Sequence, residues 1–167
     1  FSGLNSKVSA NMKHIAILGS TGSIGRNTLD LVRTHRGRFS VKALAARRNA
    51  GLLLKQARAF RPEVVCLYES QYAKELSEGL KRLRIRLVTG AEGLCEISRL
   101  SSVEQVVFAL VGAVGLLPLF EAMKAGKAVA IANKEPLVMA GALLMEMARR
   151  NNVQIIPIDS EHSGLWQ

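Results

Sequence analysis

Two carboxylates near the end of the sequence have the spacing of a metal site. Asp159 and Glu161 follow an apolar run at residues 154–158 that predicts a strand. In an extended chain, residues i and i+2 point the same way, so both carboxylates can address one cation. Hard oxygen ligands suit Mg²⁺ or Mn²⁺, which makes Asp159 and Glu161 candidate metal ligands. Taken alone, Asp-Ser-Glu-His at 159–162 is more simply interpreted as a polar loop.

Three evenly spaced glycines have the chemistry of a phosphate-binding turn. Gly19, Gly22 and Gly25 follow the wholly apolar run 15–18, and a helical pattern opens at Gly25. The first glycine permits a tight turn, the second lets the backbone approach a pyrophosphate, and the third lets the helix pack closely. The helix N-terminus then faces the phosphate charge. The G-x-x-G-x-x-G spacing also fits an ordinary strand-to-helix turn, but the second strand that follows favours a dinucleotide site.

The end of the second predicted strand carries two arginines. Residues 39–46 predict this strand, and Arg47, Arg48 and Asn49 come directly after it. At the end of this strand in dinucleotide-binding proteins, an acidic side chain accepts a hydrogen bond from the 2′-hydroxyl of NAD, whereas an arginine accommodates the 2′-phosphate of NADP. No acid is present, and a guanidinium suits phosphate geometry. We therefore favour NADP; the alternative is two solvated arginines at a strand end.

A third polar group follows a strand further along the chain. Ala132, Asn133, Lys134 and Glu135 come where the predicted strand 127–132 gives way to a helix. Ligands of α/β proteins bind at this carboxyl edge of the sheet. These residues are therefore candidates for ligand contact.

The elements that must position these groups alternate regularly between strand and helix. Apolar runs predict seven strands, and helical stripes separate them, with strands at residues 15–18, 39–46, 63–68, 85–88, 105–111, 127–132 and 154–158. Unbroken alternation predicts an α/β fold, a doubly wound and mostly parallel Rossmann-type sheet with helices on both faces. We place this domain at residues 12–157.

Composition and charge narrow the function classes. A chain of 167 residues is one domain, or one domain and the start of another. No apolar run approaches the roughly 20 residues of a membrane span, so we expect no membrane partner. The net charge of +10 also fits a nucleic-acid-binding module. However, the cations are spread over every helix without an aromatic stacking platform, and a phosphorylated ligand explains them as well, so we expect no nucleic acid.

The beginning of the sequence and its cysteines bear on location. Residues 1–11 lack periodicity and the apolar core of a signal peptide, so we expect a disordered remnant of a processed leader or of cloning. Cys66 and Cys95 lack C-x-x-C spacing, which favours a reduced, intracellular chain. We expect a bacterial cytoplasmic protein, or a plastid one if the leader is part of a transit peptide.

Taken together, three separated motifs resemble one enzyme family. Residues 19–25, 132–135 and 157–162, in this order and spacing, closely resemble 1-deoxy-D-xylulose 5-phosphate reductoisomerases, and the resemblance runs from about Met12 to Gln167. It implies conversion of 1-deoxy-D-xylulose 5-phosphate to 2-C-methyl-D-erythritol 4-phosphate in non-mevalonate isoprenoid synthesis. It also implies NADPH, a divalent cation (Mn²⁺, Mg²⁺ or Co²⁺) and a homodimeric parent protein.

The resemblance assigns roles by position. Cofactor-binding residues would be Gly19, Thr21, Gly22, Ser23, Ile24, Gly25, Arg47, Arg48, Asn49 and Asn133. Substrate contacts would come from Lys134, Glu135 and Ser160, and two of three metal carboxylates from Asp159 and Glu161. Arg47 stands where the family often has glycine, and Pro136 where it often has serine.

Length is the larger departure from the family. The resemblance implies a longer parent with a third metal carboxylate, substrate-phosphate ligands, a lid and a helical C-terminal domain. Residues 158–167 would then begin a truncated catalytic domain, and this fragment would be inactive alone.

Two other oxidoreductase classes fit less well. A short-chain dehydrogenase needs Tyr-x-x-x-Lys, but Tyr68 is followed at i+4 by Tyr72, and Tyr72 by Leu76. A semialdehyde-type dehydrogenase needs a cysteine nucleophile in a loop, whereas Cys66 lies in a predicted strand and Cys95 in a predicted helix.

Overall fold

The apolar runs of the sequence form a parallel sheet. The computed structural model describes residues 12–132 and 135–158. Its strands, β1 to β7, are Lys13–Leu18, Phe39–Ala46, Val64–Leu67, Arg86–Thr89, Gln105–Phe108, Ala128–Ile131 and Ile155–Pro157. They pair in the order β4-β3-β2-β1-β5-β6-β7, and every pair is parallel. The predicted α/β fold class is confirmed.

Within residues 12–132 and 135–158, six α-helices connect the strands and divide between the two faces of the sheet. The helices, α1 to α6, are Ser23–Thr34, Ala50–Phe60, Ala73–Leu83, Gly90–Ser98, Leu116–Lys124 and Glu135–Asn151. Short 3₁₀ turns at Ser70–Tyr72 and Ala113–Gly115 precede α3 and α5. No helix in the part of the chain that the structure describes is long and apolar enough to cross a bilayer.

Each face of the sheet has its own core. On one face, Leu29, Leu53 and Leu76 of α1, α2 and α3 pack against strand residues such as Ile17 and Leu44. On the other face, helices α4, α5 and α6 cover the sheet through Leu94, Ile97, Leu119, Met123 and Leu144. Because β1 is buried on both faces, its residues Ile15 to Leu18 are uniformly apolar.

The strand order changes direction at β1. From β1 the chain winds outward through β2, β3 and β4, then returns to the other side of β1 with β5. The loops that follow β1 and β5 therefore leave the sheet in opposite directions and open a crevice at its carboxyl edge. This switch point is where doubly wound proteins bind ligands.

Two elements differ from the sequence-based prediction. The strand predicted to reach Val111 ends at Phe108, because its partners β1 and β6 end at Leu18 and Ile131 and offer no further ladder. Helix α6 is interrupted at Ala140, where φ is −141° and ψ is 23°. The apolar stripe along this helix gave no sign of the break.

Candidate dinucleotide-binding site

The glycine turn is closely packed at its first and third glycines. Gly19 has a φ of +90°, and a Cβ there would lie 2.3 Å from the carbonyl oxygen of Ala109. A Cβ on Gly25 would lie 2.3 Å from the oxygen of Gly19 and 2.6 Å from the Cα of Ser20. Gly19 thus lets the turn pass under the end of β5, and Gly25 lets α1 approach the turn. These are the structural roles expected of the first and third glycines.

Gly22 differs from the other two glycines. Its φ of −76° and ψ of 173° are extended values that any residue adopts. A Cβ would meet only the Gly19 oxygen, at the ordinary contact distance of 3.4 Å. Neither the backbone nor the packing therefore requires glycine at this position, and the open space is on the side that faces the crevice.

The N-terminus of α1 has unoccupied hydrogen-bond donors. Gly22 is the N-cap, no side chain caps the helix, and the first turn contains no acidic residue. The amides of Ser23, Ile24 and Gly25 have no hydrogen-bond partner among residues 12–132 and 135–158. With the helix dipole behind them, these amides favour an anion at the turn.

A buried polar pair holds the turn against α2. The Ser20 hydroxyl donates to Oε1 of Gln56 at 2.7 Å, and Nε2 of Gln56 donates back to the Ser20 carbonyl at 2.8 Å. Both residues are buried. This pair was not predicted from the sequence, although Gln56 lies on the same helix face as the buried residues Leu53 and Ala57.

The turn is also joined to the end of β2, which carries the two arginines. The amides of Gly19 and Ser20 both donate to the Ala45 carbonyl, at 2.9 and 2.8 Å. Arg47 and Arg48 follow two and three residues later and are exposed. The structure therefore brings the predicted phosphate turn and the predicted 2′-phosphate loop to the same edge of the sheet.

The three residues of that loop have different surroundings. Arg47 donates from Nε to Oε1 of Glu69 at 2.7 Å. Among the described residues, the Arg48 side chain has no hydrogen-bond or ion-pair partner. The Asn49 side chain caps α2 by accepting from the amide of Leu52 at 3.0 Å. Asn49 thus has a structural role, and its amide nitrogen stays available to a ligand.

A cavity of about 260 Å³ lies between the two loops. Gly19, Thr21, Gly22 and Arg47 form one side, and residues that follow β5 form the other. Its remaining lining is mainly apolar and comprises Tyr68, Leu94, Ala109, Leu110, Val111 and Val114. Such a crevice, with cationic and amide donors beside apolar walls, suits a nucleotide.

The Ile24 side chain does not line the crevice. It lines a larger cavity, of about 530 Å³, between α1 and the sheet face at Val107, Ala130 and Ile158. That cavity is mostly apolar and does not include the glycine turn. At Ile24, therefore, only the backbone amide is placed to contact a phosphate at the turn.

The start of α6 also reaches the crevice. Glu135 accepts a hydrogen bond from the amide of Gly112 at 2.6 Å, which ties α6 to the loop after β5. Gly112 has a φ of +79°, a value that favours glycine. Asn133 and Lys134, and the predicted metal and substrate residues Asp159, Ser160 and Glu161, lie outside the described residues. Among the residues that the structure does describe, no three potential metal ligands come together.

The cysteines do not belong to the site. Cys66 and Cys95 are free and buried. Burial raises the pKa of the Cys66 thiol to about 12, and burial also raises the pKa of the Cys95 thiol. Both thiols therefore stay protonated at neutral pH, which excludes them as nucleophiles.

The parallel doubly wound sheet, with its glycine turn at the switch point, defines the class of dinucleotide-binding α/β proteins. A family model described as 1-deoxy-D-xylulose 5-phosphate reductoisomerase matches residues 15–141. The chain belongs to this family, as its three motifs predicted.

Curated relatives of known name support the same family assignment. The chain is 50% identical over 155 residues to the 1-deoxy-D-xylulose 5-phosphate reductoisomerase of Moorella thermoacetica, covering 93% of this chain and 40% of the relative. The Chlorobium limicola enzyme is 46% identical over 156 residues, covering 93% and 41%. The chain therefore spans about two fifths of the length of these relatives.

Two solved structures superpose closely on this fold. The Zymomonas mobilis reductoisomerase in complex with NADPH has a TM-score of 0.86 at 34% identity, covering 90% of this chain and 40% of that one. A reductoisomerase bound to NADPH, fosmidomycin and magnesium also has a TM-score of 0.86, at 42% identity, covering 90% and 37%.

Proposed function

We propose that this chain is the NADPH-binding domain of a 1-deoxy-D-xylulose 5-phosphate reductoisomerase. The observation that carries the proposal is the glycine turn at the switch point, with open space at Gly22 and three amides at the start of α1 that have no partner in the described part of the chain. Superposable relatives that bind NADPH support it.

The residues present fit this cofactor. The pyrophosphate would lie against the turn at Thr21 and Gly22 and accept hydrogen bonds from the amides of Ser23, Ile24 and Gly25, since the Gly22 amide already donates to the Gly19 carbonyl. The adenosine ribose would lie at the end of β2, near Arg47, Arg48 and Asn49. Bound NADPH supplies a hydride to a carbonyl carbon.

A preference for NADPH over NADH follows from the charges at the end of β2. Arg48 is exposed and carries a charge that no described side chain neutralises. A guanidinium gains more from a phosphomonoester than from a hydroxyl. The 2′-phosphate should therefore strengthen binding.

The reaction of the longer protein would use residues besides those that bind the cofactor. We propose 1-deoxy-D-xylulose 5-phosphate as the substrate of the longer protein, with Lys134, Glu135 and Ser160 contacting it. Asp159 and Glu161 would bind Mg²⁺, Mn²⁺ or Co²⁺, a proposal supported by the relative that contains magnesium. Homodimer formation and a cytoplasmic or plastid location stay predictions.

Calorimetric titration with NADPH and then NADH tests the proposed function. We expect saturable binding of both cofactors at one site, with NADPH binding at least about tenfold more tightly, since a charged hydrogen bond contributes on the order of 1.5–3 kcal/mol. Absence of NADPH binding, or equal affinity for the two cofactors, would contradict the proposal.

A further inference from the structure

Arg47 is held by a carboxylate from the loop after the neighbouring strand β3. Its Nε donates to Oε1 of Glu69, which follows β3, at 2.7 Å. The backbones of the two residues are joined as well, because the Glu69 amide donates to the Arg47 carbonyl at 2.8 Å. The backbone bond extends the parallel β2–β3 pairing past the ends of the strands, so Glu69 has a fixed position relative to Arg47.

The two partners differ in exposure. The Glu69 side chain is 20% exposed, whereas the Arg47 side chain is 77% exposed and lines the crevice beside Gly19 and Thr21. The carboxylate is therefore the recessed anchor, and the guanidinium lies on its solvent side. Since Glu69 engages Nε, the two terminal nitrogens of Arg47 stay free to form a fork toward an anion.

We propose that Glu69 is a positioning residue that orients Arg47 toward the 2′-phosphate of the cofactor. The inference rests on the proposed function and adds a residue to which neither the resemblance nor the glycine motif assigns a role. An unrestrained exposed arginine must give up rotamer freedom when it binds a phosphate. The anchor from β3 removes that freedom in advance, so Arg47 and Arg48 together define the phosphomonoester subsite.

A carboxylate near a phosphate could have the opposite effect, and the two effects predict opposite results. If Glu69 mainly neutralises Arg47 or repels the phosphate, its removal should strengthen NADPH binding. If Glu69 positions Arg47, its removal should weaken NADPH binding and leave NADH binding unchanged, since NADH has no 2′-phosphate.

The experiment compares Glu69→Ala with Glu69→Gln by calorimetric titration at fixed ionic strength. We expect Glu69→Ala to weaken NADPH binding about tenfold and NADH binding less than about twofold. Glu69→Gln keeps an oxygen acceptor for Nε of Arg47. Its NADPH affinity should be within about threefold of that of the chain without substitutions. Tighter NADPH binding by either variant, or unchanged binding by Glu69→Ala, would overturn the inference.

A double-mutant cycle shows whether Glu69 acts through Arg47. In an Arg47→Ala background, Glu69→Ala should have no further effect on NADPH affinity. An equal loss in both backgrounds would overturn the inference. Glu78→Ala, at an exposed acid of α3, is the matched control, and thermal unfolding checks that each variant is folded.

The result for the chain without substitutions, called the parent chain here, distinguishes a failure of this inference from a failure of the proposed function. Equal NADPH and NADH affinity in the parent chain would defeat the proposed function, whatever the variants do. A parent that prefers NADPH, with a Glu69→Ala variant that keeps the full preference, would defeat only the role of Glu69.

Discussion

At the scale of single residues, Gly22 separates the requirements of binding from those of folding. Its backbone is extended, and an added Cβ would have only one ordinary contact, whereas a Cβ on Gly25 would overlap the Gly19 carbonyl. The two glycines of one motif are thus needed for different reasons. The close approach at Gly25 is required by the fold, whereas we infer that the open space at Gly22 is there for a ligand.

Gly22→Val should therefore abolish NADPH binding in a chain that still folds. The branched side chain would fill the space that the pyrophosphate needs, while loss of the glycine N-cap costs at most about 1 kcal/mol. Gly25→Ala is the contrasting variant, and overpacking should lower its free energy of unfolding by about 1–3 kcal/mol. Urea unfolding and calorimetry on both variants test this, and normal NADPH binding by Gly22→Val would show that the turn is misassigned.

Arg48 gives a second prediction at this scale. Arg48→Asp should narrow the difference between NADPH and NADH affinity by about 1–3 kcal/mol, because it replaces an unpaired cation with an anion near the 2′-phosphate. Arg36→Asp makes the same charge change in the turn before β2, at the opposite edge of the sheet, and serves as the control. If both substitutions change the affinity difference equally, Arg48 acts only through long-range electrostatics and does not contact the 2′-phosphate.

At the scale of elements, the phosphate turn is held in place by its neighbours. Backbone bonds to Ala45 join it to β2, and the buried Ser20–Gln56 pair joins it to α2. No capping side chain or acidic residue at the start of α1 competes with a ligand for its amides. The turn is therefore shaped before the cofactor arrives, which lowers the entropic cost of binding.

Gln56→Leu should destabilise the chain by about 1–3 kcal/mol, because it leaves the hydroxyl and carbonyl of Ser20 buried without partners. It should also weaken NADPH binding by loosening the turn. Gln71→Leu, at an exposed glutamine, is the control for the change in composition. Unaltered stability on urea unfolding would show that the Ser20–Gln56 pair does not secure the turn.

The thiol of β3 gives a prediction about pH. The pKa of Cys66 is raised by burial from 9.0 to about 12, so the folded state resists its ionisation. Unfolding releases an ordinary thiol, and the free energy of unfolding should therefore fall as pH rises above 9, by up to about 1.4 kcal/mol per pH unit until about pH 12. The pH slope of Cys66→Ala should lack this contribution, and identical slopes would contradict it.

The regular elements were predictable because their signals are local. Buried parallel strands are continuous apolar runs, and the close contact that requires Gly25 is with Gly19 and Ser20 of the same motif. The end of β5 was not predictable, since Phe108 is the last residue with partners on both sides, and Val111 beyond it is 85% exposed. The Glu69 partner of Arg47 comes from another strand, and only the paired sheet brings the two together.

At the scale of the whole molecule, the chain spans about two fifths of the length of its curated relatives. Within the described residues, the glycine turn and the Arg47 side chain line one crevice together with the loop that follows β5. The net charge of +10 gives the surface a positive field that suits a cofactor and a substrate with phosphate groups.

The purified 167-residue chain should bind NADPH without oxidising it. Hydride transfer requires the carbonyl carbon to be held against the nicotinamide with water excluded, and such positioning supplies roughly 7–11 kcal/mol of the barrier reduction. We expect no change in NADPH absorbance after addition of 1-deoxy-D-xylulose 5-phosphate and Mn²⁺, whereas a full-length relative should turn over. Turnover by this chain would mean that its active site is complete.

We propose that NADPH binds in the crevice between the glycine turn and the loop after β5. Titration of the isotopically labelled chain with NADPH, followed by amide NMR, would locate the residues that bind the cofactor. We predict that the largest shifts occur in residues 21–25, 47–49 and 110–113, and that NADH reproduces them except near Arg48. Shifts confined to the α1 groove around Leu31 and His35, or no saturable shifts, would contradict the account.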